Sequence, residues 1–173
     1  MKSQMKMSDA RDIKADRATV WAALLSPDVL KECVPGAQEV IGTADEGFEA
    51  TVVQKVGPVK ATFKGMVTVS NIVEMESLTL TGEGKGGAAG YAKGGANVRL
   101  EDCEAGTRLI YDVEANVGGK LAQLGSRIVD GFAKKMADQF FTRFEEVVGA
   151  PNADDPAPEP EAEKKGWLKR LIR

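Results

Sequence analysis

The stretch VGGKLAQLGSRIVDGFAKKMADQFF, residues 117–141, decides the fold. Its apolar residues Leu121, Leu124, Ile128, Phe132, Met136 and Phe140 recur at steps of three or four, and Phe144 and Val148 continue the series. That spacing predicts one amphipathic helix of about 30 residues, roughly 45 Å long, opened by Gly118 and Gly119. Gly125 and Gly131 are expected to leave room beside its backbone.

Working back from the helix, the pattern changes to period two. Phe48, Ala50, Val52 and Val56 share one face of a strand; Val59, Ala61, Phe63, Gly65, Val67 and Val69 share one face of the next. The alternation continues through Leu78 and Leu80, then Ala96, Val98 and Leu100, then Leu109, Tyr111, Val113, Ala115 and Val117. These read as half-buried antiparallel strands, joined at turns such as 45–47, Gly57-Pro58 and 104–106. Ahead of them lie a first strand around residues 5–16, a helical run at 18–26 and a second short helix started by Pro27 and stopped by Pro35-Gly36. Strand, two short helices, about six curved antiparallel strands and one long C-terminal helix make an α+β, helix-grip order. A bent sheet around a single helix leaves space between them, so an internal apolar cavity is expected. Its predicted lining is Phe63, Val67, Leu80, Val98, Tyr111, Leu121, Leu124, Gly125, Ile128, Phe132 and Met136, with Tyr111 able to hydrogen-bond a ligand carbonyl.

Composition narrows the chemistry. The 173 residues hold no histidine, which removes the usual neutral-pH acid/base and the commonest metal ligand. Cys33 and Cys103 lack metal spacing and read as buried small hydrophobes. With no nucleophile–base pair and no metal cluster, neither catalysis nor a resident cofactor is expected. The net charge of −3 offers no basic face for nucleic acid. No run is long and apolar enough to span a bilayer, and no signal peptide is seen, so a cytoplasmic protein is expected.

Three units follow: a ligand-binding domain at 1–149, an acidic, Pro-rich linker at 150–162, and a basic tip, EKKGWLKRLIR, at 163–173. In a helix Trp167, Leu168, Leu171 and Ile172 share one side, while Lys164, Lys165, Lys169, Arg170 and Arg173 supply the positive charge. Such a tip suits reversible, salt-sensitive attachment to an anionic membrane surface, here the inner face of the cell membrane.

The run GEGKGGAAGYAKGGA, residues 82–96, satisfies a dinucleotide-type glycine spacing, but no helix begins at its third glycine, so a nucleotide site is rejected. It reads instead as a strand-to-strand loop, a lid that presents Lys85, Tyr91 and Lys93 to a partner or headgroup. Lys120, Gln123, Arg127 and Lys134 lie off the apolar face of the long helix, as a solvated face or a docking face.

GPVKATFKG at 57–65, the glycine run at 82–96, the stretch at 117–141 and VWAALLSPDVLKECVPG near the start together resemble the carbon monoxide dehydrogenase CoxG family, within the SRPBCC, START or Bet v 1-like helix-grip superfamily. The resemblance covers about residues 5–149. It implies an accessory protein of a molybdenum-containing carbon monoxide dehydrogenase that helps couple that enzyme to the membrane. A soluble dehydrogenase cannot reach a quinone buried in lipid. The expected role is therefore to bind an isoprenoid quinone, menaquinone-like, in the cavity and carry it between membrane and enzyme. A membrane recruiter or assembly factor that binds no ligand is the alternative. An enzyme is the weakest reading, because Tyr111 is the only titratable side chain among the inward positions.

Overall fold

The computed structural model describes residues 2–149. Seven strands form one antiparallel sheet: β1 (Lys2–Ile13), β2 (Ala37–Thr43), β3 (Gly47–Val56), β4 (Val59–Val73), β5 (Ser77–Lys85), β6 (Tyr91–Cys103) and β7 (Gly106–Gly118). Their spatial order is β1-β7-β6-β5-β4-β3-β2. The chain therefore meanders from β2 to β7, and β1 closes on β7 from Lys2↔Gly118 to Ile13↔Thr107. This is the α+β helix-grip fold expected from the order of elements, with one strand ahead of the two short helices and six after them.

Between β1 and β2 lie α1 (Arg17–Leu24) and α2 (Pro27–Cys33). Each begins where a side chain can take an orphaned amide: Asp16 accepts from the Thr19 N–H at 2.8 Å, and Ser26 accepts from the Val29 N–H at 3.4 Å. Pro27 follows Ser26 at the first helical position, where its missing N–H costs nothing. Val20 and Trp21 of α1 enter a core with Ile13, Cys33, Leu109 and Phe144. A second cluster, Met5, Val56, Val117, Leu121 and Val129, closes the other end of the barrel.

The predicted single helix is two helices, α3 (Lys120–Gln123) and α4 (Ser126–Val148). Gly125 breaks them apart: it sits at φ +92°, a backbone region open to glycine and costly for other residues. At 23 residues, α4 is about 34 Å long rather than 45 Å. Gly125 and Gly131 are both exposed, and a side chain at either would meet nothing within 4 Å. Neither makes room in the interior.

The glycine run at 82–96 is likewise mostly strand, not loop. β5 and β6 pair through it from Gly82↔Gly94 to Lys85↔Tyr91, and only Gly86–Gly90, with a 3-10 turn at Gly87–Ala89, connects them. The glycines admit close neighbours: a Cβ on Gly86 would overlap the Phe63 ring, and one on Gly94 would strike the Glu114 carbonyl. Cys33 is fully buried, as expected, and burial pushes its thiol up to about 12. Cys103, at the end of β6, is only half-buried, because β6 ends there in an exposed turn.

On β1, Arg11 faces α4. Its guanidinium lies 2.5 Å from Asp138, 5.0 Å above the Phe141 ring and beside the Tyr111 hydroxyl. The hydrogen bond from Arg11 holds the Asp138 carboxyl below its usual 3.8. A depressed carboxylate pKa stabilises the fold above the unfolded value and loses that contribution as pH falls through the folded one. Asp138→Asn is therefore expected to lower the thermal midpoint at pH 7 and to flatten its decline below about pH 4, as a pH series of thermal melts would read. An unchanged acid limb would show that the pair contributes nothing.

Candidate functional site: an apolar cavity between sheet and helix

The space between the sheet and α4 is a cavity of about 640 Å³. Strand alternation builds most of its wall. In β3, Phe48, Ala50, Val52, Gln54 and Val56 point inward; in β7, Leu109, Tyr111, Val113, Ala115 and Val117 do. Val129, Phe132, Ala133, Met136, Ala137, Phe140 and Phe141 of α4 form the roof. Leu24, Leu25, Leu30, Val34 and Pro35 close the side held by α1 and α2.

No charged side chain lines this cavity, and only Gln54 and Tyr111 bring polar side-chain groups to it. Both have partners already. The Gln54 amide donates to the Pro35 carbonyl. The Tyr111 ring stacks on Phe141 at a centroid distance of 5.3 Å, and its hydroxyl meets Arg11. Burial alone would pull the Arg11 guanidinium down, but Asp138 and Tyr111 together hold it above its usual value. Such a site can enclose an apolar molecule and offer its polar end one or two weak partners. Among the described residues no cluster of His, Cys, Asp and Glu could hold a metal ion.

Of the residues expected at the site, Phe63, Val67, Leu80 and Val98 line the cavity from the strands, joined by Tyr111. Leu121, Phe132 and Met136 line it from the helices. Leu124, Gly125 and Ile128 do not. The break at Gly125 turns Leu124 and Ile128 towards the β3–β4 turn, where both come within 4 Å of the position a Gly57 side chain would take. Ile128 is 42% exposed. Lys85 and Lys93 alternate with the lining residues Gly84 and Ala92, so they stand on the outer face of the sheet rather than over the cavity. Tyr91 lies across Gly118 on the same face. These three do not form a lid. Lys120, Gln123, Arg127 and Lys134 are all exposed. The basic tip, Lys164 to Arg173, and the linker before it lie outside the described residues.

Gln54 was not foreseen, although it holds the same parity as Phe48, Ala50 and Val52. A polar residue in an otherwise apolar inward series is the signal that could have found it. The contribution of α1 and α2 to the wall had no such signal, because it depends on how they dock.

Fold and cavity together define a helix-grip protein with an apolar site between sheet and helix. A conserved protein from Geobacillus kaustophilus shares the fold with a TM-score of 0.72 at 21% identity, over 86% of this chain and 95% of that one. A protein from Rhizobium leguminosarum matches with a TM-score of 0.64 at 15% identity, over 86% and 97%. Ara h 8.0201 matches at 0.56 and 12%, over 84% and 98%. Comparison with curated proteins gives no significant match. The model of the carbon monoxide dehydrogenase G-subunit (CoxG) family matches residues 10–149, and the chain belongs to that family. Among the described residues no helix is long and apolar enough to cross a membrane.

Proposed function

We propose that this protein is an accessory protein of a molybdenum-containing carbon monoxide dehydrogenase and carries an isoprenoid quinone between the membrane and that enzyme. Family membership supports the dehydrogenase as partner. The quinone reading rests on one observation: the cavity is large, and every residue on its wall apart from Gln54 and Tyr111 lacks a polar side-chain group or carries only a thioether. A recruiter would need only a surface, and a filled interior would be more stable. A cavity kept open at about 640 Å³ implies an occupant. Tyr111 and Gln54 are the groups able to meet a quinone carbonyl. The cavity holds no nucleophile and no acid or base other than Tyr111, which favours a carrier over a catalyst.

The test is native mass spectrometry with organic extraction of the full chain from a respiring host. A quinone at near one per chain supports the carrier. Protein that stays empty after incubation with menaquinone-containing vesicles overturns it and leaves the membrane recruiter.

A further inference from the structure

In this meander the turns fall alternately at two ends of the barrel. The β3–β4 turn, the β5–β6 connection and the β7–α3 junction share one end: Gly57 sits against Leu124 and Ile128, and the 3-10 turn packs on both β4 and α3. The segments that form this end, 53–65, 84–91 and 115–129, contain Lys55, Lys60, Lys64, Lys85, Lys120 and Arg127 and no Asp or Glu, with Glu83, Glu114 and Asp130 just past their ends. All six cations are exposed. The hairpins of the opposite end have the reverse sign: 43–47, 71–77 and 101–106 carry acids and no Lys or Arg. Arg17 of α1 reaches Asp102 and the Met75 carbonyl there.

The basic residues are also placed at a cost. Lys55 stands directly across from Lys60, and Lys64 directly across from Lys85. Like charges in opposed strand positions destabilise a sheet. Among the described residues none of the six makes an ion pair, whereas Lys93 nearby has Glu83 as its cross-strand neighbour. Repulsion kept at a surface where none of the six has an ion-pair partner among the described residues points outward, to an anionic partner.

We infer that this end of the barrel docks on an anionic lipid surface, with the α3–α4 break facing the bilayer. Two features favour lipid over an acidic protein face. The cations spread over three strands and two helices, which suits a laterally uniform anionic surface. Leu124 and the exposed Ile128 also stand among the cations, the pairing of apolar tip and basic surround found where proteins sit at a lipid interface. This deepens the reading above and rests on its claim that the protein works at a membrane, but it adds a contact independent of residues 163–173.

The experiment measures binding of the full chain to vesicles of phosphatidylcholine with about 30 mol% phosphatidylglycerol. The variant carries Lys55→Gln, Lys60→Gln, Lys64→Gln and Lys85→Gln, with residues 150–173 unchanged. The expected result is binding weakened more than about thirtyfold, with a thermal midpoint equal to or above the parent's, since two repulsive pairs are gone. Replacing the same four lysines by arginine should keep binding near the parent value, which separates charge from misfolding. Binding within about twofold of the parent overturns the inference. So does a variant that binds vesicles normally yet no longer binds the dehydrogenase, which would assign the surface to an acidic protein face. Neither outcome touches the carrier reading, which quinone extraction decides separately.

Discussion

Ala96→Phe combined with Ala115→Phe is expected to empty the protein of its apolar ligand while leaving it folded. Both alanines line the cavity, one on β6 and one on β7. Each phenyl ring would project into the cavity, although Ala115 also packs against the cluster of Met5, Val117 and Leu121. Overpacking a full core costs about 1–3 kcal/mol, but filling a void restores contacts that its walls lack. The thermal midpoint should therefore hold or rise. Ligand recovered by extraction should fall more than about tenfold, since the occupant loses the volume and apolar contact that retain it. Coupling of the dehydrogenase to membrane electron transport should fall with it. A variant that is empty yet couples normally would show that the protein recruits rather than carries.

The second large effect is on stability. Phe144 is completely buried. It stacks on Phe140 at a centroid distance of 5.7 Å and meets Phe141 edge-on at 6.3 Å. Phe144→Ala should cost about 3–5 kcal/mol. For a domain of this size that lowers the thermal midpoint by roughly 6–20 °C. Phe144 does not line the cavity, so the variant should still bind ligand at low temperature. Calorimetry with and without added menaquinone would separate the two effects. A midpoint within about 2 °C of the parent would mean that α4 is not anchored through this residue.

The contrast between these positions explains what the sequence could disclose. Alternation along a strand is local, and in a meander every strand shows the same face to the same interior. Phe63, Val67, Leu80, Val98 and Tyr111 could thus be assigned to the cavity side by parity alone. The helix was less legible. Leu121, Leu124, Ile128 and Phe132 keep a helical step straight through Gly125, and spacing cannot register that one glycine adopts φ +92°. That single dihedral moved Leu124 and Ile128 off the cavity. At residues 82–96, composition argued for a loop, but glycines also occur where chains approach too closely for a Cβ, as Gly86 does under Phe63. Leu30, Val34 and Pro35 reached the wall only through the docking of α2, which no local pattern encodes. The polarity of the barrel ends was written in the sequence throughout. It became visible once strand order showed which turns lie together.

The direction of α4 carries a last consequence. It begins beside the basic end and finishes at Gly149, next to the Lys14 carbonyl, at the other end. The chain therefore departs from the side facing away from the proposed lipid contact. For residues 163–173 to touch the same leaflet, the spacer must run back the length of α4, about 34 Å. Residues 150–162 can bridge at most about 45 Å when fully drawn out. The leash is long enough with little slack, and about nine residues would fall short. Lengthening it would weaken joint attachment only gradually. Its length, more than its composition, would then set whether the two contacts hold the membrane together.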